Sequence, residues 1–394
     1  MASADASRPG VDSVPLDTSA ILRHLAAHTR FLMGRGGTRL RLRFADLRGI
    51  AVHGFDFARA ELIACNLGGA DLRGCRFPEA DLTGSLLMGV DLRGANLDRA
   101  TLRGVRVYRS SLRGATLRLA DFRPGAITVR RRGAEGDSVA TREFATELNE
   151  TDFEAADLEA AQLRWARITA STLSRANLSG ADLRGAIITD TTLNGATLAG
   201  VTILGTQLQS VSFDLTDQTR RLFGSEPAYM GHATQVRNLD RMLADHERWV
   251  ASGGQSGSRA DFTGRTLVGA DLRGRELSAV SFRDVVATGV DLTGAKLAAA
   301  DFRNATLRHV EFASADLRGT DFRGASLLHT RFTNALLMPL QLESGGHLVP
   351  RFQNARLDWV EAGGAQRQAT LFAGATIRYG DLARSENGPT PGGS

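Results

Sequence analysis

Lysine is almost missing from this chain. Lys296 is the only one among 48 basic residues, so nearly every positive charge is an arginine. That bias fits a GC-rich bacterial genome better than a mechanism, although arginine also forks onto carboxylates more tightly than lysine does. Cysteine is equally scarce. Cys65 and Cys75 stand alone, with no metal-ligand spacing around them, which argues against a redox or metal role. No stretch approaches ~18 continuous apolar residues, so no membrane span is expected. The first 20 residues lack a basic start followed by an apolar run, so no signal peptide is expected and a cytoplasmic protein follows. A net charge of +5 is modest for 394 residues and does not point to nucleic acid.

What is present is a repeat. From Phe262 to Leu382 every fifth residue is a centre, and of 25 such positions 21 are apolar. The exceptions are Ala287, His347, Ala362 and Arg367. A small residue sits two before many centres (Ala295, Ala305), Asp often lies between (Asp291, Asp301), and Gly or Asn often sits two after (Gly294, Asn304). A period of five matches neither a helix nor a flat strand. It needs a chain that turns a corner every five residues, with the small residue and the centre inside. Four sides close a square coil. The phenylalanines support this: Phe262, Phe282, Phe302 and Phe322 are spaced by 20, as are Phe312, Phe332, Phe352 and Phe372. Two inner columns of stacked rings on opposite sides are expected. Coils then bond to the coils above and below at ~4.8 Å per step.

These A-D-L-R-G units resemble the pentapeptide-repeat family, whose consensus is A-(D/N)-L-x-x. The resemblance implies an all-β solenoid: a right-handed quadrilateral parallel β-helix, here with short α-helical caps.

Taken in order, residues 1–17 read as a disordered N-terminus. Residues 18–215 read as a helical cap (18–33) followed by a first β-helix, with a loop insertion at about 124–145 carrying Arg130, Arg131 and Arg132. Because the pattern resumes in shifted phase at Leu148, the insertion is expected to leave the stack continuous. Residues 216–234 read as a linker. Residues 235–384 read as a second cap (235–251) and a second β-helix, and residues 385–394 as a disordered tail. The two caps echo one another: Leu25-Ala-Ala-His28-Thr-Arg-Phe31 and Leu243-Ala-Asp-His246-Glu-Arg-Trp249. His28 and His246 are expected to tie each helix to its first coil. Since a cap in mid-chain ends coil-to-coil bonding, two separately closed β-helices meeting at an angle are expected. Phe213 would lie at the end of one and Phe262 at the start of the other.

Catalysis needs groups converging on a concave pocket. Most carboxylates here repeat at one outward slot of a convex rod and read as turn and ladder groups. No catalytic residue, cofactor or metal is expected. Three surface features remain. Arg73, Arg93 and Arg113 form one column at 20-residue spacing, and Arg283, Arg303 and Arg323 form another; each is flanked by Asp. Between Glu143 and Ala160 lie seven acids and no base, among them Glu147, Asp152, Glu154, Asp157 and Glu159. His347 and Arg367, 20 apart at centres that should be apolar, are expected to share a distorted face. These features are a candidate interaction surface, and a charge-compensated ladder is the plainer reading. The expected function is a scaffold that docks another protein, with a homodimer through a solenoid end also open. The alternative, from a resemblance to family members that protect DNA gyrase from quinolones, is a topoisomerase regulator. Nucleic-acid and membrane partners are not expected.

Overall fold

The computed structural model describes residues 14–15, 18–133, 136–214, 216, 219, 221–222, 231–368, 370–379 and 382. The tails at 1–13 and 383–394, and the side chains of Arg130, Arg131 and Arg132, lie outside the described residues.

The chain coils as its period demands. Leu72 N–H donates to Asp91 O at 2.8 Å, and Asp91 N–H to Ala70 O at 2.9 Å, so each coil is bonded to the next. Centres and small slots are buried together: Leu92 and Phe302 are 1% exposed, Ala95 and Ala305 0%. The residue two after a centre turns the corner in the left-handed region, whether glycine (Gly94, φ 64°) or not (Arg99, φ 58°). That slot favours glycine and asparagine for this reason. Cys65 and Cys75 occupy small slots, both 0% exposed and neither in a disulfide. Burial pushes the Cys75 thiol up to about 11, so it stays protonated.

Buried apolar side chains form two separate clusters, one from Leu25 to Val211 and one from Leu243 to Leu382. Each belongs to its own parallel stack. In the first, Val107 pairs in register with Leu87 on one side and Leu148 on the other. The second partner lies 21 residues farther on than an uninterrupted coil allows. Those extra residues form an antiparallel hairpin, Gly125–Gly133 with Gly136–Phe144. It leaves the stack unbroken.

The second stack contains an insertion that the sequence conceals. Ser326–Leu328 pairs with Arg356–Asp358, an offset of 30 instead of 20. The extra ten residues include a short hairpin, Leu340–Gln341 against His347–Leu348. His347 is therefore outside the coil and does not share a face with Arg367, which pairs with Leu337. The phenylalanine columns change accordingly. Phe352 stacks on Phe322 at 4.8 Å and 12°, whereas it meets Phe332 edge-on at 85°. One column runs Phe262, Phe282, Phe302, Phe322, Phe352; Phe312 and Phe332 stack opposite it at 5.1 Å and 3°.

Each stack starts under a helix. The first helix (Thr18–Leu32) and the second (Gly231–Ala251) both turn a histidine onto the first coil. Leu40 N–H donates to His28 Nδ1 at 3.1 Å, and Ala260 N–H to His246 Nδ1 at 3.2 Å. His28 stacks on Phe31 at 5.9 Å and His246 on Trp249 at 5.7 Å. Both imidazoles are fully buried, and burial lowers both pKa values. The returning chain passes so close to the helix that a Cβ at Gly37 would strike Ala27 O, and one at Gly257 would strike Asp245 O. Replacing His28 or His246 with Ala strands a buried backbone N–H. Each change is expected to cost about 1–3 kcal/mol, read as a lower denaturation midpoint. Unchanged midpoints for both would show that the helices are not fastened this way.

Candidate interaction surfaces and the seam between the stacks

The stacks do not meet end to end at an open angle. The chain folds back, and the second stack runs alongside the first in the opposite direction. The corner slots show this. In the second stack the corner residues of one face are Gly269, Gly289, His309, His329, Trp359 and Tyr379. Gly269 lies against Ser212, and Gly289 against Thr192. His309 Nε2 lies 3.2 Å from Ala170 O. Trp359 Nε1 donates to Arg109 O, and the Tyr379 ring lies over Gly89. As numbers rise in one stack they fall in the other.

The faces fit by size. Where the second stack has glycine, the first carries Thr192 and Ser212; where the second carries Tyr379, the first has glycine at 89 and 69. The four large rings form a ladder: His309 on His329 at 4.9 Å, His329 on Trp359 at 5.8 Å, Trp359 on Tyr379 at 5.9 Å. A Cβ at Gly89 would lie 2.5 Å from the Tyr379 ring, whereas one at Gly94 would meet nothing within 4 Å. Both glycines have nearly the same φ, 66° and 64°. Gly89→Ala and Gly94→Ala should therefore share the same backbone strain, of about 1 kcal/mol. Only Gly89→Ala should also loosen the end of the second stack, read as faster amide exchange over Thr376–Arg378. Equal exchange in both variants would contradict the ring-on-glycine contact.

Charges continue the seam. Glu154, 3% exposed, is held by Arg113 at 3.6 Å, by Arg175, and by Arg331 of the second stack at 2.6 Å. Glu150 takes Arg109 at 2.6 Å and Arg308 of the second stack at 3.1 Å. Burial pushes the Glu150 carboxyl up, but the two arginines outweigh it and hold it below the usual range. Asp358, 2% exposed, takes Arg356 at 2.6 Å and Arg109 at 3.5 Å.

The sequence-derived candidates divide between the seam and the outer faces. Arg93 and Arg113 each reach Glu361 across the seam at 3.5 Å. Arg73 forks onto Asp71 at 2.9 and 3.0 Å. Arg303 and Arg323 fork onto Asp301 and Asp321 the same way, with no seam contact described. Arg283 continues that column, and its charge is felt at Asp301. Among the acids, Glu147 accepts from Tyr108 Oη at 3.2 Å, and Asp152 from Glu154 N–H at 2.8 Å. Asp157 accepts from Asn177 at 2.9 Å, and Glu159 meets Arg118 at 3.0 Å. The ring ladder and Arg308, Arg331 and Glu361 escape sequence reasoning. Their signal is present: bulky residues at 309, 329, 359 and 379 fill a slot usually held by Gly or Asn. Beside the seam lies a cleft of about 620 Å³, walled by Glu154 and Arg175 on one side and Asp291 and Glu311 on the other. Among the described residues, no group of three His, Cys, Asp or Glu is placed to hold a metal. Nor is any described helix long and apolar enough to cross a membrane.

With square coils and a five-residue period in place, sequence comparison decides the family. The pattern described as "Pentapeptide repeats" matches residues 41–77, 65–104, 85–123 and 176–214 in 8 copies. The "Pentapeptide repeat region" matches residues 258–337. The chain belongs to the pentapeptide-repeat family. Among solved structures of pentapeptide-repeat proteins, it is similar to a trypsin-treated form of QnrB1, described as a plasmid-mediated fluoroquinolone resistance protein. Identity is 14% over 85% of this chain and 92% of that one, with a TM-score of 0.32. It is also similar to HetL of the cyanobacterium Nostoc sp. strain PCC 7120, described as involved in heterocyst differentiation regulation. Identity there is 19% over 93% of this chain and 98% of that one, with a TM-score of 0.21. No curated protein matches the chain.

Proposed function

We propose that this pentapeptide-repeat protein is a non-enzymatic scaffold that docks another protein on the outer faces of its paired stacks. The observation that carries this reading is how the charges are used. The acidic segment and the first arginine column turn partly inward, where Glu150, Glu154, Arg93 and Arg113 join the stacks. The outer faces are flat ladders in which arginines fork onto neighbouring aspartates, as Arg318 does on Asp316 at 2.7 Å. Such faces offer repeated, evenly spaced polar contacts over several coils, which suits a broad docking partner better than a small substrate.

The second reading is a topoisomerase regulator, favoured by the acidic stretch from Glu143 to Glu159. A DNA-like acidic surface needs free carboxylates, and Glu150 and Glu154 are already neutralised across the seam. That weighs against it.

The test of the scaffold reading is affinity capture from bacterial cytoplasm, compared with the triple variant Arg283→Glu, Arg303→Glu, Arg323→Glu. A stoichiometric protein partner lost in the variant supports docking on that column. Absence of any saturable partner overturns the scaffold reading. In parallel, purified gyrase with fluoroquinolone should give the same yield of cleaved complex with and without this protein. A dose-dependent fall would instead establish the second reading.

A further inference from the structure

The seam contains two titratable rings, each with a nitrogen that finds no partner among the described residues. His309 is 7% exposed and His329 4%, and they stack at 4.9 Å with 6° between planes. His309 turns Nε2 to the Ala170 carbonyl of the other stack and leaves Nδ1 bare; His329 leaves Nε2 bare. A neutral imidazole suits this arrangement, because one nitrogen donates and the other needs no proton.

We propose that the seam is an acid-opened joint: below about pH 6 the two stacks part as folded bodies, because His309 and His329 cannot both stay between them once protonated.

Second protons there would place two like charges 4.9 Å apart, on nitrogens with no acceptor among the described residues. The groups around them offer limited relief. From the first stack, Glu150 and Asp152 face the rings, but Glu150 is held by Arg109 and Arg308, and Asp152 by the Glu154 N–H. From the second stack, Arg331 opposes protonation and is itself held by Glu154 and Glu311. Burial dominates, holding His309 at about 4 and His329 at about 3. Each stack has its own apolar cluster, so the seam can open without either core unfolding.

The sign follows from linkage. In the parted state both rings meet water and return to an ordinary pKa near 6.5; in the joined state they stay neutral to much lower pH. Parting therefore takes up protons and is favoured as pH falls below 6.5, by about tenfold per unit per ring. At pH 5 the opening constant is about 1000-fold above its value at pH 7.5. The lowered Glu150 carboxyl adds to opening in the same direction at still lower pH.

The experiment is small-angle scattering of the full chain from pH 7.5 to pH 4.5, with far-UV circular dichroism on the same samples. The expected result is a reversible rise in radius of gyration between pH 6 and 4.5 with the dichroism retained. The double variant His309→Phe, His329→Phe should stay closed over that range. Trp359 and Tyr379 already hold aromatic rings at the same corner, with φ of 58° and 57°, so the substitution fits the backbone. His309→Gln with His329→Gln is the second variant, neutral and able to hydrogen-bond. The proposal is overturned by a radius that does not change, by opening of both variants at the wild-type pH, or by dichroism lost together with the joint.

Discussion

Replacing Phe302 with Ala is expected to lower the stability of the second stack by about 3–5 kcal/mol, the range for truncating a fully buried aromatic. Phe302 is 1% exposed and lies between Phe282 at 4.7 Å and Phe322 at 4.8 Å, with the edge of Phe312 at 5.6 Å. A coil fixed by hydrogen bonds above and below cannot collapse into the void, so the high end of the range is expected. Phe302→Asp buries an unpaired carboxylate in the same column and should prevent the second stack from folding. Because the first stack has an apolar cluster of its own, it should keep its own melting transition. Chemical denaturation checks both variants. An unchanged midpoint for Phe302→Ala would mean that the ring column carries no stability.

The second large effect is expected at Glu154. Its side chain is 4% exposed and neutralises Arg331, whose side chain is only 15% exposed, from the opposite stack. Glu154→Ala leaves Arg331 with Glu311 as its one remaining ion pair among the described residues. Removing one member of a buried ion pair typically costs about 3–5 kcal/mol, because the other charge stays desolvated. Arg175, 65% exposed at its side chain, should contribute little to that cost. The loss should appear as weaker coupling between the stacks, and Glu154→Ala with Arg331→Ala should restore part of it. A double variant as unstable as the sum of the singles would show that the two residues do not act as a pair.

Much of the fold was legible because a five-residue period has few physical solutions. The spacing of Phe282, Phe302 and Phe322 fixed both coil size and ring columns. The hairpin after Pro124 was legible because its 21 extra residues shift the phase. The insertion around Leu340–Leu348 was not, because ten residues are two whole repeats and leave the phase intact. That is why Phe352 seemed to belong beside Phe332 and His347 beneath Arg367. The seam was hidden for a different reason. A repeat pattern reports contacts within a coil and between adjacent coils, not which outer face meets another stack. Glu150 and Glu154 read as an exposed acidic patch because their partners, Arg308 and Arg331, lie more than 150 residues away in sequence. The bulky corner residues His309, His329, Trp359 and Tyr379 follow one another on a single face of the second stack, and together they mark the buried face.

The central claim is that the two stacks lie side by side and antiparallel. Disulfide trapping tests it directly, in a background where buried Cys65 and Cys75 are replaced by Ala. A Cβ at Gly289 would lie 2.9 Å from Thr192 Cβ, so a separation of about 1 Å more brings the pair Thr192→Cys, Gly289→Cys into disulfide range. The pair Gly89→Cys, Gly289→Cys would meet only if the stacks ran parallel, since Gly89 faces Tyr379 in the antiparallel arrangement. Rapid oxidation of the first pair to an intramolecular disulfide, with the second remaining reduced, is the expected result. Oxidation of the second pair in place of the first, or of neither, would contradict the arrangement.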